Sequence, residues 1–449
     1  MEMLRKIPLA LTLALTFGLA TAAHATATLK LLKSFCSDSG CADGETPSGT
    51  LITDASHNIY GTTQSGGSHG GGVLFEMLFD PDTSGYRYRK LYDFCDSVSD
   101  CADGTTPTNA RLVIDTNGTL YGTTAGGGTS GSGVVFKLVP NATKTHYTYS
   151  VIYYFCVTFS SCQDGAQPTG GLTYAGQDQG QTYDGVAALY GTTQLGGRSG
   201  NGGVVFSLVP PPVGKSLGTQ RQLYKFCRLH SHGVCTDGAN PGGNITIDKN
   251  GILWGTTSAG GRDPQNAGLI YQLTPSVSGP WAETPIYSFC GETDCADGAA
   301  PTTGLAVDAN GNFYGTTSTG GLGYRKCADT GCGVLFKLTA SGATETTLYS
   351  FCKLAKCADG GMPEGLVLDP NNNIYGGTNI GGLKHNGNFF KLNGTTMTDI
   401  YDIKCVNNVC SNGINPTGSL MLNANDDLFG TFMNAGRNGQ GGELFKLSE

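Results

Sequence analysis

The sequence has few charged residues and no concentration of basic ones. Asp, Glu, Lys and Arg together make up 14% of its 449 residues, and the formal net charge is −8. Proteins that bind nucleic acid or an anionic membrane surface do so largely through clustered Lys and Arg. The acidic balance therefore argues against nucleic acid and anionic lipid as partners.

Long hydrophobic runs are missing after the first 25 residues, so no membrane span is predicted in the body of the chain. The N-terminus carries Arg5 and Lys6, followed by an apolar run over 8–23 that ends in small residues. This run is short for a membrane span and has the order of a secretory signal, so we predict a signal peptide at 1–25 rather than a membrane anchor. Its removal takes away a net charge of +1 and leaves the mature chain, 26–449, at −9.

Motifs of covalent and phosphate chemistry are missing too. The helix-poor chain offers no Gly-x-Ser-x-Gly nucleophile elbow, and its Gly-Gly segments lack the Lys-Ser/Thr and the helix of a phosphate-binding loop. We therefore predict no catalytic residue. A pair of carboxylates for glycoside hydrolysis stays open, because their separation of about 5–10 Å is a property of the folded structure.

Glycine, by contrast, is abundant, with 70 residues, and stands beside aromatic residues at regular positions. The stretch Tyr-Gly-Thr-Thr at 121–124 recurs, slightly altered, seven times at a spacing of about 60 residues. The copies are centred on Tyr60, Tyr121, Tyr190, Trp254, Tyr314, Tyr375 and Phe429. A fixed period of this size in a Gly-rich, helix-poor chain predicts a repeat architecture.

Each repeat contains the pattern of four short strands. In the clearest copy these are an aromatic strand at 286–290, an apolar strand at 304–308, the Tyr-Gly-Thr-Thr strand at 313–317 and a Val-Leu-Phe strand at 334–338. Four-stranded units at this period predict propeller blades, and the Gly of Tyr-Gly-Thr-Thr is predicted to let the next blade approach. The predicted fold is all-β, a seven-bladed β-propeller of four-stranded blades formed by 26–449 as a single domain.

The two ends of the mature chain predict how the propeller closes. The chain begins with an aromatic-Cys strand at 29–36 and ends with a Leu-Phe strand at 443–447, which precedes it in every other repeat. We predict that the N-terminal strand completes the last blade as its outer strand, because this pairing removes two exposed edges at once.

The 16 cysteines fall into eight close pairs. These are Cys36/Cys41, Cys95/Cys101, Cys156/Cys162, Cys227/Cys235, Cys290/Cys295, Cys327/Cys332, Cys352/Cys357 and Cys405/Cys410. An even count behind a signal peptide predicts eight local disulfides in an oxidising compartment. Zinc sites are the rival interpretation, but they need two pairs close together, whereas these pairs are predicted to lie whole repeats apart.

The motifs of one repeat resemble a known family. Tyr-Ser-Phe, Asp-Gly-x-x-Pro, Gly-x-Leu-x-x-Asp, Gly-Asn-Phe-Tyr-Gly-Thr-Thr and Gly-Val-Leu-Phe-Lys-Leu, all present within 287–338, are similar to the GloVer (Gloeobacter–Verrucomicrobia) tandem repeat. The resemblance covers nearly all of 29–449 and implies an exported bacterial β-propeller, secreted, periplasmic or at the cell surface. It implies no established activity, and the paired cysteines are a departure from the family pattern.

Two sets of recurring acids are candidates for ligand binding. One precedes Gly in each crossover loop and comprises Asp43, Asp103, Asp164, Asp237, Asp297 and Asp359. The other follows the innermost strand and comprises Asp54, Asp115, Asp248, Asp308 and Asp369. A ring of carboxylates can bind a cation or a polar ligand, but recurrence in nearly every blade favours turn formation. No cofactor is predicted, and a Ca²⁺ loop would need several more oxygen ligands.

Residues that interrupt the repeat are the sharper ligand-binding candidates. His230 and His232 lie within the longest cysteine loop, where they can share a metal ion or supply a base. Arg198, Arg262, Arg325 and Arg437 lie in the Gly-rich loops and can take a carboxylate or an acidic sugar. For each, the competing interpretation is a solvated loop residue.

The predicted function is a secreted, disulfide-rich binding or structural surface protein. Its partner would be a glycan, a peptide or an extracellular protein on the loop face and central pocket, and self-assembly is a further alternative. The other hypothesis is an extracellular lyase or hydrolase acting on a polysaccharide or a small cyclic compound. That hypothesis requires a central pocket with a His or Tyr beside two carboxylates from different blades.

Overall fold

The structure is a computed structural model of the whole chain. It describes residues 27–96, 100–107, 111–157, 162–197, 201–261, 266–276, 281–322, 327, 330–342, 344–405, 410, 413–434 and 441–448. The predicted signal peptide at 1–25 lies outside these residues.

Thirty strands build the described part of the chain. The first, β1, is Thr28–Ser34, and blade one contains β2 (Glu45–Thr53), β3 (Ile59–Ser65), β4 (Val73–Asp80) and β5 (Gly85–Asp93). Blade two contains β6 (Val113–Ile114), β7 (Leu120–Thr124), β8 (Val134–Pro140) and β9 (Tyr147–Tyr154). Blade three contains β10 (Thr173–Tyr174), β11 (Leu189–Thr193), β12 (Val204–Val209) and β13 (Thr219–Lys225). A small hairpin, β14 (His230–Ser231) and β15 (Val234–Cys235), precedes blade four, which contains β16 (Ala239–Ile247), β17 (Leu253–Ala259), β18 (Leu269–Thr274) and β19 (Ala282–Ser288).

The remaining blades repeat this order. Blade five contains β20 (Ala306–Val307), β21 (Phe313–Thr316), β22 (Val334–Leu338) and β23 (Glu345–Ser350). Blade six contains β24 (Gly361–Leu368), β25 (Ile374–Ile380), β26 (Asn388–Asn393) and β27 (Thr396–Asp402). Blade seven contains β28 (Ile414–Leu422), β29 (Leu428–Asn434) and β30 (Glu443–Ser448). The described helices are single 3₁₀ turns at Ser39–Cys41, Gln177–Gln179, Thr293–Cys295 and Ala355–Cys357.

Each blade is an antiparallel four-stranded sheet whose strands follow chain order from the axis outward. The last sheet has the order β1-β30-β29-β28, in which Thr28 pairs with Ser448 and Lys30 with Lys446. The N-terminal strand therefore completes the seventh blade as its outer strand, as predicted. This pairing joins the N-terminal and C-terminal strands in one sheet and closes the last blade.

The glycine of Tyr-Gly-Thr-Thr makes room within its own blade. A Cβ on Gly61 would lie 2.6 Å from Cζ of Phe75 and 2.8 Å from a methyl carbon of Leu51, both in blade one. The prediction that this Gly lets the next blade approach is therefore wrong. The first Thr makes the contact between blades, since the Thr256 hydroxyl donates to the carbonyl of Thr303 in blade five at 3.0 Å.

The tyrosine of the same stretch closes the hairpin that precedes it. Tyr314 Oη donates to Asp308 Oδ2 at 3.0 Å, and Asp308 Oδ1 accepts from the backbone N–H groups of Asn310 and Asn312, both at 2.9 Å. Burial would raise the pKa of Asp308, but these hydrogen bonds together lower it. Asp369, the equivalent residue of blade six, is bonded in the same way. The acids that follow the innermost strands thus stabilise turns.

All eight predicted disulfides are present, and no free cysteine occurs among the described residues. Their Cα–Cα distances lie between 3.9 and 5.4 Å. So many disulfides indicate an oxidising, non-cytoplasmic compartment. The bonds are Cys36–Cys41, Cys95–Cys101, Cys156–Cys162, Cys227–Cys235, Cys290–Cys295, Cys327–Cys332, Cys352–Cys357 and Cys405–Cys410.

Four of these bonds span loop residues that lie outside the described part of the chain, and three of the four are in crossover loops. Cys101, Cys162 and Cys410 come after the segments 97–99, 158–161 and 406–409, respectively. Each of the three is nevertheless bonded to the first cysteine of its own loop, with a Cα–Cα distance of 4.1 Å. The pairing at these positions is therefore local, within one crossover loop.

Within the described residues, no helix is long and apolar enough to cross a membrane.

Candidate functional site

The innermost strands of the blades surround a central channel that has two chambers. The upper chamber has a volume of about 370 Å³ and lies on the loop face, where the Tyr-Gly-Thr-Thr strands end. Its lining is uncharged apart from one residue, and it includes hydroxyl and amide groups of Thr50, Thr169, Gln194, Ser258, Thr302 and Ser318. These side chains offer a ligand many hydrogen-bond donors and acceptors that carry no charge.

The channel narrows at Asn244, which belongs to both chambers. Its Oδ1 accepts from the backbone N–H of Gly171 at 3.0 Å, and its Nδ2 lies 3.5 Å from Oγ1 of Thr50 in blade one. Glycine is required at this point, because a Cβ on Gly304 would lie 2.7 Å from the carbonyl oxygen of Asn244. Blades one, three, four and five therefore meet within a few residues of the axis.

Glu364 is the charged residue of the upper chamber among the described residues. It follows Pro363 at the start of the inner strand, and Asn379 Nδ2 donates to its Oε1 at 2.7 Å. Burial raises the pKa of Glu364 to about 7, although the bond from Asn379 lowers it. A carboxyl that changes its protonation near neutral pH thus faces a neutral chamber.

Glu364 was not among the candidates from the sequence. A signal for it exists, because the residue after the inner-strand Pro is Ser48, Thr108, Thr169, Gly242, Thr302 and Thr417 in the other blades. Aligning this one position in seven repeats picks out a single carboxyl. The recurring Asp residues drew attention instead because they lie in conspicuous motifs.

The lower chamber lies toward the opposite face and has a volume of about 240 Å³. Its charged residues, among those described, are Arg111 and Asp178, whose Nη1 and Oδ1 are 3.9 Å apart. With the Gln177 amide turned so that its oxygen faces Arg111, that oxygen accepts from Nη2 at 2.9 Å and from Nε at 3.0 Å. Burial lowers the pKa of Arg111 and raises the pKa of Asp178, while each charge opposes the shift of the other.

An insertion in blade three brings Asp178 to this chamber. Residues 175–188 connect β10 to β11, where blade five has only 308–312 between the equivalent strands. The 3₁₀ turn Gln177–Gln179 in this insertion reaches blade four, where Asp178 Oδ2 accepts from the backbone N–H of Ile247 at 3.1 Å. This insertion and Arg111 were also missed, since neither contains a known motif.

The crossover-loop acids all bond within their own loops. Asp359 is representative, since its carboxylate accepts from Tyr349 Oη at 2.8 Å and from the backbone N–H groups of Lys353 and Leu354 at 2.8 and 3.0 Å. Its equivalents Asp103, Asp164, Asp237 and Asp297 accept from a tyrosine in the same way, and Asp43 accepts from a lysine. None of the six lines either chamber of the channel among the described residues. Their ligand-binding role stays a prediction.

Asp43 has a distinct electrostatic environment. Burial would raise its pKa, but hydrogen bonds from Lys33, Ser37 and the backbone N–H of Asp38 together lower it. Lys33 occupies the position that tyrosine takes in the other crossover loops. At Asp43, an ion pair with Lys33 therefore replaces the hydrogen bond that a neutral tyrosine donates in the other loops.

The disulfides of the crossover loops surround the channel without lining it. The sequence analysis predicted disulfides for Cys101, Cys162 and Cys410. Among the described residues, these three cysteines line neither chamber. They also belong to none of the described groups of three or more potential metal ligands. Their part in the site is therefore structural, because each bond closes a loop of the rim.

The two candidate histidines lie away from the channel. His230 and His232 are exposed on the β14–β15 hairpin, and Nε2 of His230 lies 3.2 Å from Sγ of Cys227. Nδ1 of His232 lies 3.1 Å from Oγ of Ser231. The two side chains thus face different partners. The other repeat-breaking candidates, Arg198, Arg262, Arg325 and Arg437, lie outside the described residues.

The expectation that the chain has no Gly-x-Ser-x-Gly motif is wrong for the sequence itself, since one occurs at 66–70 in the Gly-rich loop of blade one. Ser68 is exposed there, and its hydroxyl and backbone N–H donate to Asp93 at 3.2 and 3.0 Å. A nucleophile elbow requires a strand that turns sharply into a helix, and this loop leads into β4 instead. Ser68 is therefore not placed in a nucleophile elbow.

The chain belongs to the Gloeobacter/Verrucomicrobia repeat family. The family model matches residues 17–188, 176–326 and 295–449, which together cover the described propeller. This confirms the resemblance seen in the repeat motifs. No curated protein matches the chain.

Several solved structures are similar to this chain at low sequence identity. The extracellular domain of BT4673 from B. thetaiotaomicron is 12% identical with a TM-score of 0.47, over 94% of this chain and 39% of that one. The GH74 enzyme of Niastella koreensis is 16% identical with a TM-score of 0.48, over 90% and 52%. A puromycin hydrolase is 11% identical with a TM-score of 0.48, over 87% and 50%. This chain therefore spans about half or less of the length of these proteins.

Proposed function

We propose that the protein is a secreted β-propeller that binds a neutral, hydroxyl-rich ligand such as a glycan in its upper chamber. The observation that carries this proposal is the composition of the chamber, in which, among the described residues, uncharged hydroxyl and amide groups surround one carboxyl, that of Glu364. Sugars are recognised by many directional hydrogen bonds, and a carboxylate is a strong acceptor for a sugar hydroxyl. The glycines at the channel's narrow point add exposed backbone groups.

The size and position of the chamber support the same proposal. Its volume of about 370 Å³ falls in the range of small-molecule sites, about 300–1,000 Å³. It opens on the loop face, where seven crossover loops closed by disulfides hold the rim in place. A rigid rim lowers the entropy that is lost when a ligand binds.

One observation favours a second function, that of an extracellular lyase or hydrolase. Glu364, with its pKa raised to about 7 by burial, is suited to act as a general acid. Glycoside hydrolysis uses a pair of carboxylates, however, and no second carboxylate, His or Tyr lines the chamber among the described residues. We therefore favour binding without turnover.

The test is a glycan and polysaccharide screen of the mature protein, followed by turnover assays on each ligand that binds. Glu364→Ala should weaken binding by about 10-fold or more, because a charged hydrogen-bond acceptor is lost. Asp82→Asn, a change in the outer β4–β5 hairpin, should leave binding unchanged. Binding that survives Glu364→Ala would place the ligand elsewhere, and turnover that disappears in Glu364→Gln would favour the enzyme.

A further inference from the structure

Two disulfides that close different loops lie side by side in the structure. Cys327–Cys332 closes an insertion in the loop between β21 and β22, and Cys352–Cys357 closes the crossover from β23 to β24. The four Sγ atoms all lie within 4.8 Å of one another. The expectation that all cysteine pairs lie whole repeats apart is therefore wrong for these two.

The blade-five loop and the next inner strand hold the two pairs together. The backbone N–H of Met362 donates to the carbonyl of Cys332 at 2.7 Å, and a Cβ on Gly361 would lie 3.3 Å from Cβ of Cys332. Cys332 and Cys352 are fully buried in a cluster with Phe351 and Leu335. These contacts position Cys332 through the backbone, independently of its S–S bond.

We propose that this cluster is a redox-gated metal site, in which the reduced Cys327, Cys332, Cys352 and Cys357 bind one zinc ion through four thiolates. Structural zinc prefers four thiolates in a tetrahedron with Zn–S distances of about 2.3 Å, which separates the sulfurs by about 3.8 Å. After reduction, the two sulfurs of each pair must separate from bonding distance to about 3.8 Å, while the sulfurs of the two pairs already lie within 4.8 Å of one another. Burial of two of the four sulfurs also favours a closed, structural type of site.

The chemistry balances with a dithiol reductant. Two dithiol molecules transfer four electrons and four protons to the two disulfides, form two disulfides themselves and leave four cysteine thiols. Binding of Zn²⁺ then displaces four protons from those thiols. Oxidation by a disulfide of the same class reverses the sequence, forms the two S–S bonds again and releases the ion.

The remaining cysteine clusters of the described residues offer fewer ligands. Cys227 and Cys235 are joined by His230 alone, and Cys36 and Cys41 by Glu45 alone. Three protein ligands leave a coordination position open and give a weaker structural site. The four-cysteine cluster is therefore the one expected to retain zinc against a chelator.

The test uses the mature full-length chain, reduced with a phosphine and titrated with Zn²⁺ or Co²⁺. We expect about one tightly held ion per chain, four sulfur ligands at about 2.3 Å by X-ray absorption, and the thiolate-to-cobalt absorption of a tetrahedral site. Cys327→Ser/Cys332→Ser should abolish this ion, while Cys290→Ser/Cys295→Ser, which removes an isolated pair, should retain it. His230→Ala in each background removes the competing three-ligand cluster.

Three results would overturn the proposal. One is a cobalt spectrum or a sulfur count that is the same with and without Cys327 and Cys332. Another is metal binding to the reduced chain only in the unfolded state, shown by a near-ultraviolet circular dichroism signal that zinc does not restore. The last is metal that remains bound to the fully oxidised chain, because the oxidised cluster has no free thiolate.

Discussion

Asn244 of blade four lies across the central channel from Thr50 of blade one, with Asn244 Nδ2 3.5 Å from Thr50 Oγ1. The same amide accepts from the backbone of Gly171 in blade three at 3.0 Å. One side chain thus links three blades at the axis, where β-sheet pairing cannot reach. The two chambers of the channel are separated at this point.

Replacing Asn244 should therefore join the chambers and destabilise the propeller. Asn244→Ala leaves the buried N–H of Gly171 without its acceptor, which costs about 1–3 kcal/mol. The free energy of unfolding from urea titration measures this loss. Thr50→Val removes only the long contact and should cost less than about 0.5 kcal/mol. Equal losses for the two variants would contradict the central role of Asn244.

Position 122 should tolerate nothing larger than glycine. A Cβ there would lie 2.5 Å from Cζ of Phe136, so Gly122→Ala should destabilise by about 1–3 kcal/mol or more through overpacking. Adding Phe136→Leu should recover part of the loss. Gly291→Ala is the matched control, because its Cβ would meet no atom closer than 3.7 Å. A loss in Gly291→Ala as large as that in Gly122→Ala would argue against overpacking as the cause.

The hydroxyl of Tyr349 should make its own contribution to stability. Tyr349→Phe removes the 2.8 Å hydrogen bond to Asp359 and should cost about 1–2 kcal/mol by thermal or chemical unfolding. Glycan binding should not change in this variant, because Asp359 lies outside the channel. A loss of ligand binding without a loss of stability would instead support the crossover-loop acids as a binding site.

In several blades, the outer-strand residue at one equivalent position donates a hydrogen bond to the backbone of a crossover loop. Opposite Met77, Tyr88 donates to the carbonyl of Asp43 at 2.8 Å, and opposite Leu208, Gln220 donates to the carbonyl of Asp164 at 3.2 Å. Blades four and five have Glu283 and Glu345 at this position. A glutamate can replace these donors only when it is protonated.

Stability should therefore fall as the pH rises through neutrality. Burial, with the nearby charge of Asp237, raises the pKa of Glu283 to about 8, and burial, with the charge of Asp297, raises that of Glu345 to about 7. A pKa raised above its unfolded value of about 4.5 gives stability that is complete below pH 4.5 and lost by about pH 8.

Glu283→Gln should remove part of this dependence. At pH 9 the variant should be more stable than the wild type by an amount on the order of 1–3 kcal/mol, and at pH 5 the difference should be small. Unfolding curves across this pH range, compared with those of Asp82→Asn, provide the measurement. A difference between Glu283→Gln and wild type that does not vary with pH would refute the assignment.

The repeat made much of the fold predictable. Tyr121 bonds to Asp115 and Gly122 packs against Phe136 within blade two, while Thr123 bonds to Gly170 of the next blade. The stretch occurs in seven repeats, so one pattern predicted the strands, the blade number and the closure by β1. The disulfides were predictable for the same reason, since each pair closes a loop of only a few residues. Such features depend on neighbours in the chain, and the sequence contains them directly.

The site was largely hidden from sequence reasoning. Glu364 and Asn379 meet across two strands of blade six, while Asn244 and Thr50 are brought together from opposite sides of the ring. Arg111 acquires its acidic neighbour only because the insertion of blade three folds toward the axis. None of these contacts repeats, so no periodic signal marks them.

The amino-acid order by itself determined the blades, because each is stabilised by local turns and by pairing between consecutive strands. Tertiary structure alone decided which side chains share the channel and which two disulfides become neighbours. The physical reason is ring closure: once seven similar blades surround one axis, residues that differ between blades face each other over distances of a few ångströms. Whatever distinguishes this propeller from its regular scaffold arises there.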